Sequence, residues 1–279
     1  MRVSAIVVTY QTGPILFDCL EALRASEGVD EIIVVDNGNP PEPQRRLDQL
    51  ARDNGGRLCV LRGQGNVGFG RACNAGAVAS HGGVLFFVNP DVVVEPGAAQ
   101  RMCETLAQLP APAIVGGDLR GSDGRADRGS RRDRVTFWRA LFTYSGLTRL
   151  CSALIPDLHR HNEPLPDGPT SVGAISGALF MMRRAEFDAI GGFDGDYFLH
   201  FEDVDLCRRV EEAGGYVVFR PGAVGRHKRS TSDVSGATVR AHKVRSLALY
   251  IGKYARTPFE RLVARLLRSA SNLFMTPIT

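Results

Sequence analysis

Residues 193–209 read Phe-Asp-Gly-Asp-Tyr-Phe-Leu-His-Phe-Glu-Asp-Val-Asp-Leu-Cys-Arg-Arg. In this stretch Asp194, Asp196, Glu202, Asp203 and Asp205 are interleaved with Phe193, Tyr197, Phe198 and Phe201. A solvated acidic face has little use for so many rings. Acids held among apolar groups have shifted pKa values, and proton transfer uses such groups. The stretch points to an enzyme that works with a carboxylate base. Acids in the first turn of a helix also suit its dipole. That accounts for one or two of them, but poorly for the aromatic packing around them.

Three further segments carry chemistry. Gly63-Gln-Gly65-Asn-Val-Gly68 fits G-x-G-x-x-G between a strand and a helix, with Asp91 further on where a ribose-binding acid would stand. A nicotinamide site, a plain glycine turn and a sugar-nucleotide loop all remain open on this motif. It belongs to the third strand, whereas a dinucleotide fingerprint usually opens the sheet. Asn89-Pro90-Asp91 ends an apolar run. Pro90 cannot extend a ladder, so Asp91 is placed at the sheet rim, as a turn residue or as a carboxylate that holds Mg²⁺ or Mn²⁺ against a diphosphate. His227 lies in the basic run Gly225-Arg-His-Lys-Arg-Ser-Thr231. There it is either a solvated histidine or a metal ligand, with Arg226, Lys228 and Arg229 contacting an anion. His159 and His161 are given no chemistry.

Elements must hold these groups in place. Ser4–Thr9, Glu31–Asp36, Leu58–Leu61 and Val84–Val88 are apolar runs expected of buried strands. Helical patterns over Leu16–Ala25, Pro43–Asn54, Gly70–Ala79 and Pro96–Leu109 alternate with them. The result is a doubly wound, mostly parallel sheet whose ligands sit at the carboxyl ends of strands. Thr9, Asp36, Asn66 and Asp91 lie at or just beyond such ends. From Gly116 to Thr170 the pattern breaks, and an irregular, arginine-rich insertion is expected over about 120–170. Regularity returns with a strand over Ala178–Met182, helices over Arg184–Ile190 and Glu202–Ala213, and a strand over Tyr216–Phe219. Two C-terminal helices follow, Thr238–Tyr254 and Pro258–Phe274. The domain expectation is a catalytic unit over 1–235 and amphipathic helices over 236–279.

The chain has 279 residues, 44% of them hydrophobic, and a net charge of +4. That excess is too small to imply a nucleic-acid partner. Its six cysteines form no C-x-x-C pair, which suits reduced thiols and a cytoplasmic protein better than disulfides or a zinc site. Val3–Val8 is too short for a signal peptide, and no apolar run is long enough to span a bilayer.

The segments taken together resemble glycosyltransferase family 2, and its bacterial rhamnosyltransferase-like branch in particular. The matching pieces are Val7-Val-Thr-Tyr-Gln11, Ile33-Val-Val-Asp-Asn37, Gly65 through Gly76, Phe87-Val-Asn-Pro-Asp-Val92, Ser176-Gly-Ala-Leu-Phe180, Gly191-Gly-Phe-Asp through Leu206, and His227. They occur in the family's order. The resemblance implies a GT-A fold and an inverting transferase that uses a nucleoside-diphosphate sugar, with dTDP-rhamnose favoured. A galactofuranosyl or other hexosyl donor is the nearest rival, and an NAD-dependent oxidoreductase is the rival of another class. It implies that Thr9, Tyr10 and Asp36 face the nucleobase. Asn66, Gly68, Arg71, Asn74 and Asn89 line the nucleotide and diphosphate. Asp91 is the surviving acid of a metal motif, with His227 as second ligand to Mg²⁺ or Mn²⁺. Asp203 is the base, and Glu202, Asp205 and Asp196 orient the acceptor or support the site.

Two basic regions remain. Phe259, Leu262, Val263, Leu266, Leu267, Leu273 and Phe274 recur at helical spacing, with Arg261, Arg265 and Arg268 between them. Such a helix can rest on an anionic membrane as a peripheral contact, pack on the domain, or form a homodimer. The span from Arg131-Arg132 to Ile155 is a second candidate for acceptor or membrane contact. The acceptor is a glycan, a lipid-linked glycan or a small molecule.

Overall fold

The computed structural model describes residues 1–145, 158–228 and 236–272. The strands expected from apolar runs form β1 (Val3–Thr9), β2 (Glu31–Asp36), β3 (Leu58–Leu61) and β4 (Val84–Val88). Every residue of β1, β2 and β4 is buried, because helices cover both faces of the sheet. On one face Val3, Ala5 and Val7 meet Leu16 and Leu20 of α1 (Ile15–Ala25), Leu47 of α2 (Pro41–Asp53) and Met102 of α4 (Ala98–Gln108). On the other, Ile6 and Val8 meet Ala72 and Cys73 of α3 (Phe69–Ala79), Phe187 of α6 (Arg184–Ile190) and Leu206 of α7 (Glu202–Glu212). The period-2 alternation along β1 divides these two cores.

The remaining strands are β5 (Val92–Val94), β6 (Ala113–Arg120), β7 (Arg131–Arg132), β8 (Thr170–Ser171), β9 (Ala174–Ile175), β10 (Leu179–Arg183) and β11 (Tyr216–His227). The central sheet runs β3-β2-β1-β4-β10-β6-β11-β5, with β8 beside β11. Its first four strands are parallel, and β10 enters antiparallel between β4 and β6. The doubly wound, mostly parallel α/β expectation therefore stands, with a mixed second half.

Three corrections concern the region read as irregular. β6 continues through Gly116 and Gly117, where the sequence pattern broke. A Cβ at either glycine would clash with Ile175 or Leu179, so these two positions need glycine for close packing. Arg131 and Arg132 are buried and pair with β9. Residues Phe137–Ser145 form α5. The strand expected over Tyr216–Phe219 is also longer. After an irregularity between Phe219 and Val224, β11 runs on to His227 and pairs with β5.

The C-terminal helices α8 (Gly236–Lys253) and α9 (Pro258–Asn272) pack on each other. They close a third core made of Leu247, Tyr250, Ile251 and Ala264 with Val135, Ala140, Tyr197, Phe201 and Val204. No helix among the described residues is long and apolar enough to cross a membrane. Cys19, Cys59, Cys73, Cys103 and Cys207 are free thiols.

Candidate active site

A cleft of about 880 Å³ lies at the carboxyl ends of β1, β2 and β4. Parallel strands leave their connecting loops there, so a ligand meets many chain segments at once. Tyr10, Asn37, Asn66 and Gly68 line one part, Asn89, Asp91 and His227 another, and Glu202 and Asp203 a third.

The turn after β4 and the end of β11 build the Asp91–His227 pair. The register opposes His227 to Val92, and the Lys228 N–H donates to the Asp91 carbonyl. His227 Nε2 thereby sits 3.2 Å from Asp91 Oδ1. Its Nδ1 is 2.9 Å from Asp127 Oδ2. Burial works against the imidazolium, but hydrogen bonds and charge from Asp127 and Asp91 outweigh it and raise the pKa to about 9. Beside them the Asn89 Oδ1 is buried without a hydrogen-bond partner. One carboxylate, one imidazole and an orphaned amide oxygen suit a small divalent cation that takes its other ligands from phosphate and water. A cation would have to displace the Nε2 proton; the Asp127 carboxylate then keeps the proton on Nδ1, as metal-binding histidines require. The residues present fit Mg²⁺ or Mn²⁺, although the described residues contain no group of three or more His, Cys, Asp or Glu placed to hold a metal by themselves.

Asp203 lies in the first turn of α7. Its Oδ2 accepts from Arg132 Nη2 at 2.6 Å and from the Gly177 N–H at 2.9 Å. Its Oδ1 accepts from the Val204 N–H at 2.8 Å. Burial pushes this carboxyl up. The Arg132 charge and the two N–H groups outweigh burial and hold it below the usual carboxylate range. Its side chain keeps 13% exposure, so an acceptor hydroxyl can reach it. Adjacent Glu202 goes the other way: burial and the Asp203 charge raise its pKa. The Glu202 Oε2 has no hydrogen-bond partner. The two neighbouring carboxyls are thus pushed apart, Asp203 toward its charged form and Glu202 toward its protonated form.

The turn that delivers them is strained. His200 and Phe201 both have φ 69°, in the left-handed region that non-glycine residues avoid. Burial of the Phe201 ring in the third core holds the turn. Burial also lowers the His200 pKa to about 4, so this cleft residue is neutral.

Several expected site residues lie outside the cleft lining. Thr9 is buried against Asn39, and Asp36 Oδ1 accepts from the Gly38 and Asn39 N–H groups; both build the turn after β2. Asn74 grips Phe193 at both its N–H and its carbonyl, and Arg71 donates to the Gly195 carbonyl at 2.7 Å. These two hold the acidic–aromatic segment in place. Asp205 is fully buried and binds Arg209, Lys253 and the Tyr254 hydroxyl, which makes it a support residue for α8. Asp196 is exposed beside a smaller pocket with Arg71, Arg245 and Arg268. Arg226 turns to Glu95 at 2.7 Å, and Arg229 lies outside the described residues. Among the described residues, Arg128, Arg132 and Lys243 bring cationic side chains to the cleft lining.

Arg132, Asp127 and the Gly177 N–H are the site groups that sequence reasoning missed. Arg132 sat in an apparently irregular arginine-rich stretch. Only its pairing with β9 brings it to Asp203, and no local pattern signals that pairing.

A family model described as Glycosyl transferase family 2 matches residues 4–166. Those residues contain the Gly63–Gly68 loop, which follows the sheet's edge strand β3, so the nicotinamide reading is set aside. The chain is 27% identical over 244 residues to an N-acetylglucosaminyl-diphospho-decaprenol L-rhamnosyltransferase of Mycobacterium tuberculosis, covering 81% of this chain and 76% of that protein. Among solved structures, it is similar to GalNAc-T7 with UDP, GalNAc and Mn²⁺, at a TM-score of 0.66 and 16% identity, covering 97% of this chain and 55% of that one. It is also similar to a mannosyltransferase of Pyrobaculum calidifontis in complex with GDP-Man and Mn²⁺, at a TM-score of 0.61 and 15% identity, covering 98% and 73%. These likenesses show a GT-A fold.

Proposed function

The chain belongs to glycosyl transferase family 2, and from that premise we propose that it moves a sugar from a nucleoside diphosphate to an acceptor hydroxyl by one in-line displacement that inverts the anomeric carbon. The observation that carries this reading is one cleft holding both an ionised carboxylate at Asp203 and a two-donor site at Asp91 and His227.

An acceptor hydroxyl is a poor nucleophile, and Asp203 takes its proton as it attacks. Arg132 and the Gly177 N–H aim that carboxylate and keep it charged. Burial and the Asp203 charge bias Glu202 toward its protonated form, which lessens the negative charge beside the base. Tyr10, Asn37, Asn66 and Gly68 border the nucleoside, and Asn89, Asp91 and His227 the diphosphate. A divalent cation held by Asp91 and His227 would offset the charge that builds on the leaving diphosphate. Lys243 and Arg128 add positive charge to the same cleft.

For the donor, similarity to a rhamnosyltransferase favours dTDP-rhamnose. A UDP-linked galactofuranose or other hexose is the second reading. The acceptor is a glycan, free or lipid-linked, or a small molecule; a lipid-linked acceptor would bring the enzyme to a membrane surface. A donor panel assayed by nucleotide release with Mn²⁺ tests this, since slow hydrolysis reveals the donor without the acceptor. Release of dTDP from dTDP-rhamnose is expected. Release only of UDP moves the assignment to the second reading, and thermal stabilisation by NAD instead of nucleoside diphosphates overturns both.

A further inference from the structure

The sequence shows two basic–aromatic regions more than a hundred residues apart, and the fold makes them one surface. Trp138 of α5 stacks on Phe259 of α9 with ring centroids 6.2 Å apart, and on Phe142 at 6.0 Å. Phe137 meets Phe259 edge-on. Eight large apolar side chains are exposed among the described residues, and four of them, Trp138, Phe259, Leu262 and Leu266, are here. A chance scatter of apolar residues would not concentrate so. Phe259, Leu262 and Leu266 follow i, i+3, i+7 spacing, which makes one stripe along α9. Arg261, Arg265 and Arg268, all exposed, form the adjoining stripe. Glu260 is the lone acid of α9, and its carboxylate is occupied by the Arg256 and Thr257 N–H groups. The opposite face of α9, through Ala264, is buried on α8. The exposed stripe therefore lies away from the α8 contact.

We propose that α5 and α9 together dock the protein on an anionic lipid bilayer, with Trp138, Phe259, Leu262 and Leu266 entering the interface and the arginines meeting phosphate headgroups. An apolar stripe flanked by arginine matches a surface that is apolar below and negative above. A second copy of this chain would bring the same arginine stripe against itself, which charge disfavours. The patch rests on the core that also holds Val204, the neighbour of Asp203. Docking there would keep the catalytic carboxylate registered to the membrane plane. The inference does not depend on which sugar is moved.

Sedimentation of the full chain with vesicles tests it. Phosphatidylcholine vesicles containing phosphatidylglycerol should carry the protein down, pure phosphatidylcholine far less, and salt should weaken the binding. Leu262→Glu with Leu266→Glu should lower vesicle binding by at least about tenfold. Arg261→Glu with Arg265→Glu should abolish the preference for anionic vesicles. Both variants should keep the wild-type melting temperature and its shift with nucleoside diphosphate. Failure of the wild type to bind anionic vesicles overturns the proposal. So does equal binding by the leucine variant, or a dimer in light scattering that the leucine variant dissolves.

Discussion

At the scale of single residues, the arrangement around Asp203 turns five apparently similar acids into groups with distinct duties. Asp203→Asn should lower transfer by roughly 10²–10⁴-fold. The variant should keep the thermal shift produced by nucleoside diphosphate and Mn²⁺, and near-normal turnover would remove Asp203 as base. Arg132 lowers the Asp203 pKa, so Arg132→Ala should move the acid limb of the kcat/KM profile to higher pH. Arg132→Lys should move it back, and a limb that stays put in both would leave Arg132 a purely structural role. Glu202 has the opposite sign. Its folded pKa is raised, so the native state favours its protonated form. That stability is complete below the ordinary value of 4.5 and is lost as pH rises through the folded value. Glu202→Gln should therefore gain on the wild type as pH rises above 4.5, which urea melts at several pH values would show.

At the scale of elements, the cleft depends on joints between helices and turns. Gly68 begins α3 at φ 86°, and a Cβ there would lie 2.6 Å from the Phe198 carbonyl oxygen. That carbonyl accepts from the Phe69 N–H, so the glycine permits the contact that ties α3 to the segment leading into α7. Gly68→Ala should cost about 1–3 kcal/mol and weaken nucleotide binding together with stability. Equal stability in a chemical melt would show that the joint yields. Asp205 is the second joint, linking α7 to α8 through Lys253 and Tyr254. Its partners Arg209 and Lys253 keep 19% and 32% exposure, so they can turn to water once it is gone. Asp205→Ala should therefore cost about 3 kcal/mol, the lower end for breaking a buried pair.

At the scale of the whole molecule, the metal reading predicts that Mn²⁺ and nucleoside diphosphate together raise the melting temperature more than the sum of each alone. Asp91→Ala should erase that synergy while leaving the metal-free melt close to wild type, and a preserved synergy would refute its ligand role. Much of the molecule is legible in its sequence. Val3–Thr9, Glu31–Asp36 and Val84–Val88 announce themselves because a strand buried on both faces is mainly a continuous apolar run. The Asn89–Asp91 turn and the Glu202-Asp203 pair were legible because their chemistry is local. The sequence does not signal β6, because Gly116 and Gly117 mimic a loop, although they are there to admit Ile175 and Leu179. Arg132 belongs to a span expected only to contact an acceptor or a membrane, and pairing with β9 buries it against Asp203. Thr9, Arg71 and Asn74 lie outside the cleft lining, since order along the chain says which loop a residue belongs to, not which way its side chain turns. Periodicity alone determined the parallel strands β1 to β4 and the helices between them, since each is set by burial along a short segment. Only the tertiary structure decided that Asp203 and Glu202 are shifted in opposite directions, what His227 faces, and that α5 and α9 share one surface. Those outcomes depend on charge and contact between groups distant in sequence, and folding alone brings such groups together.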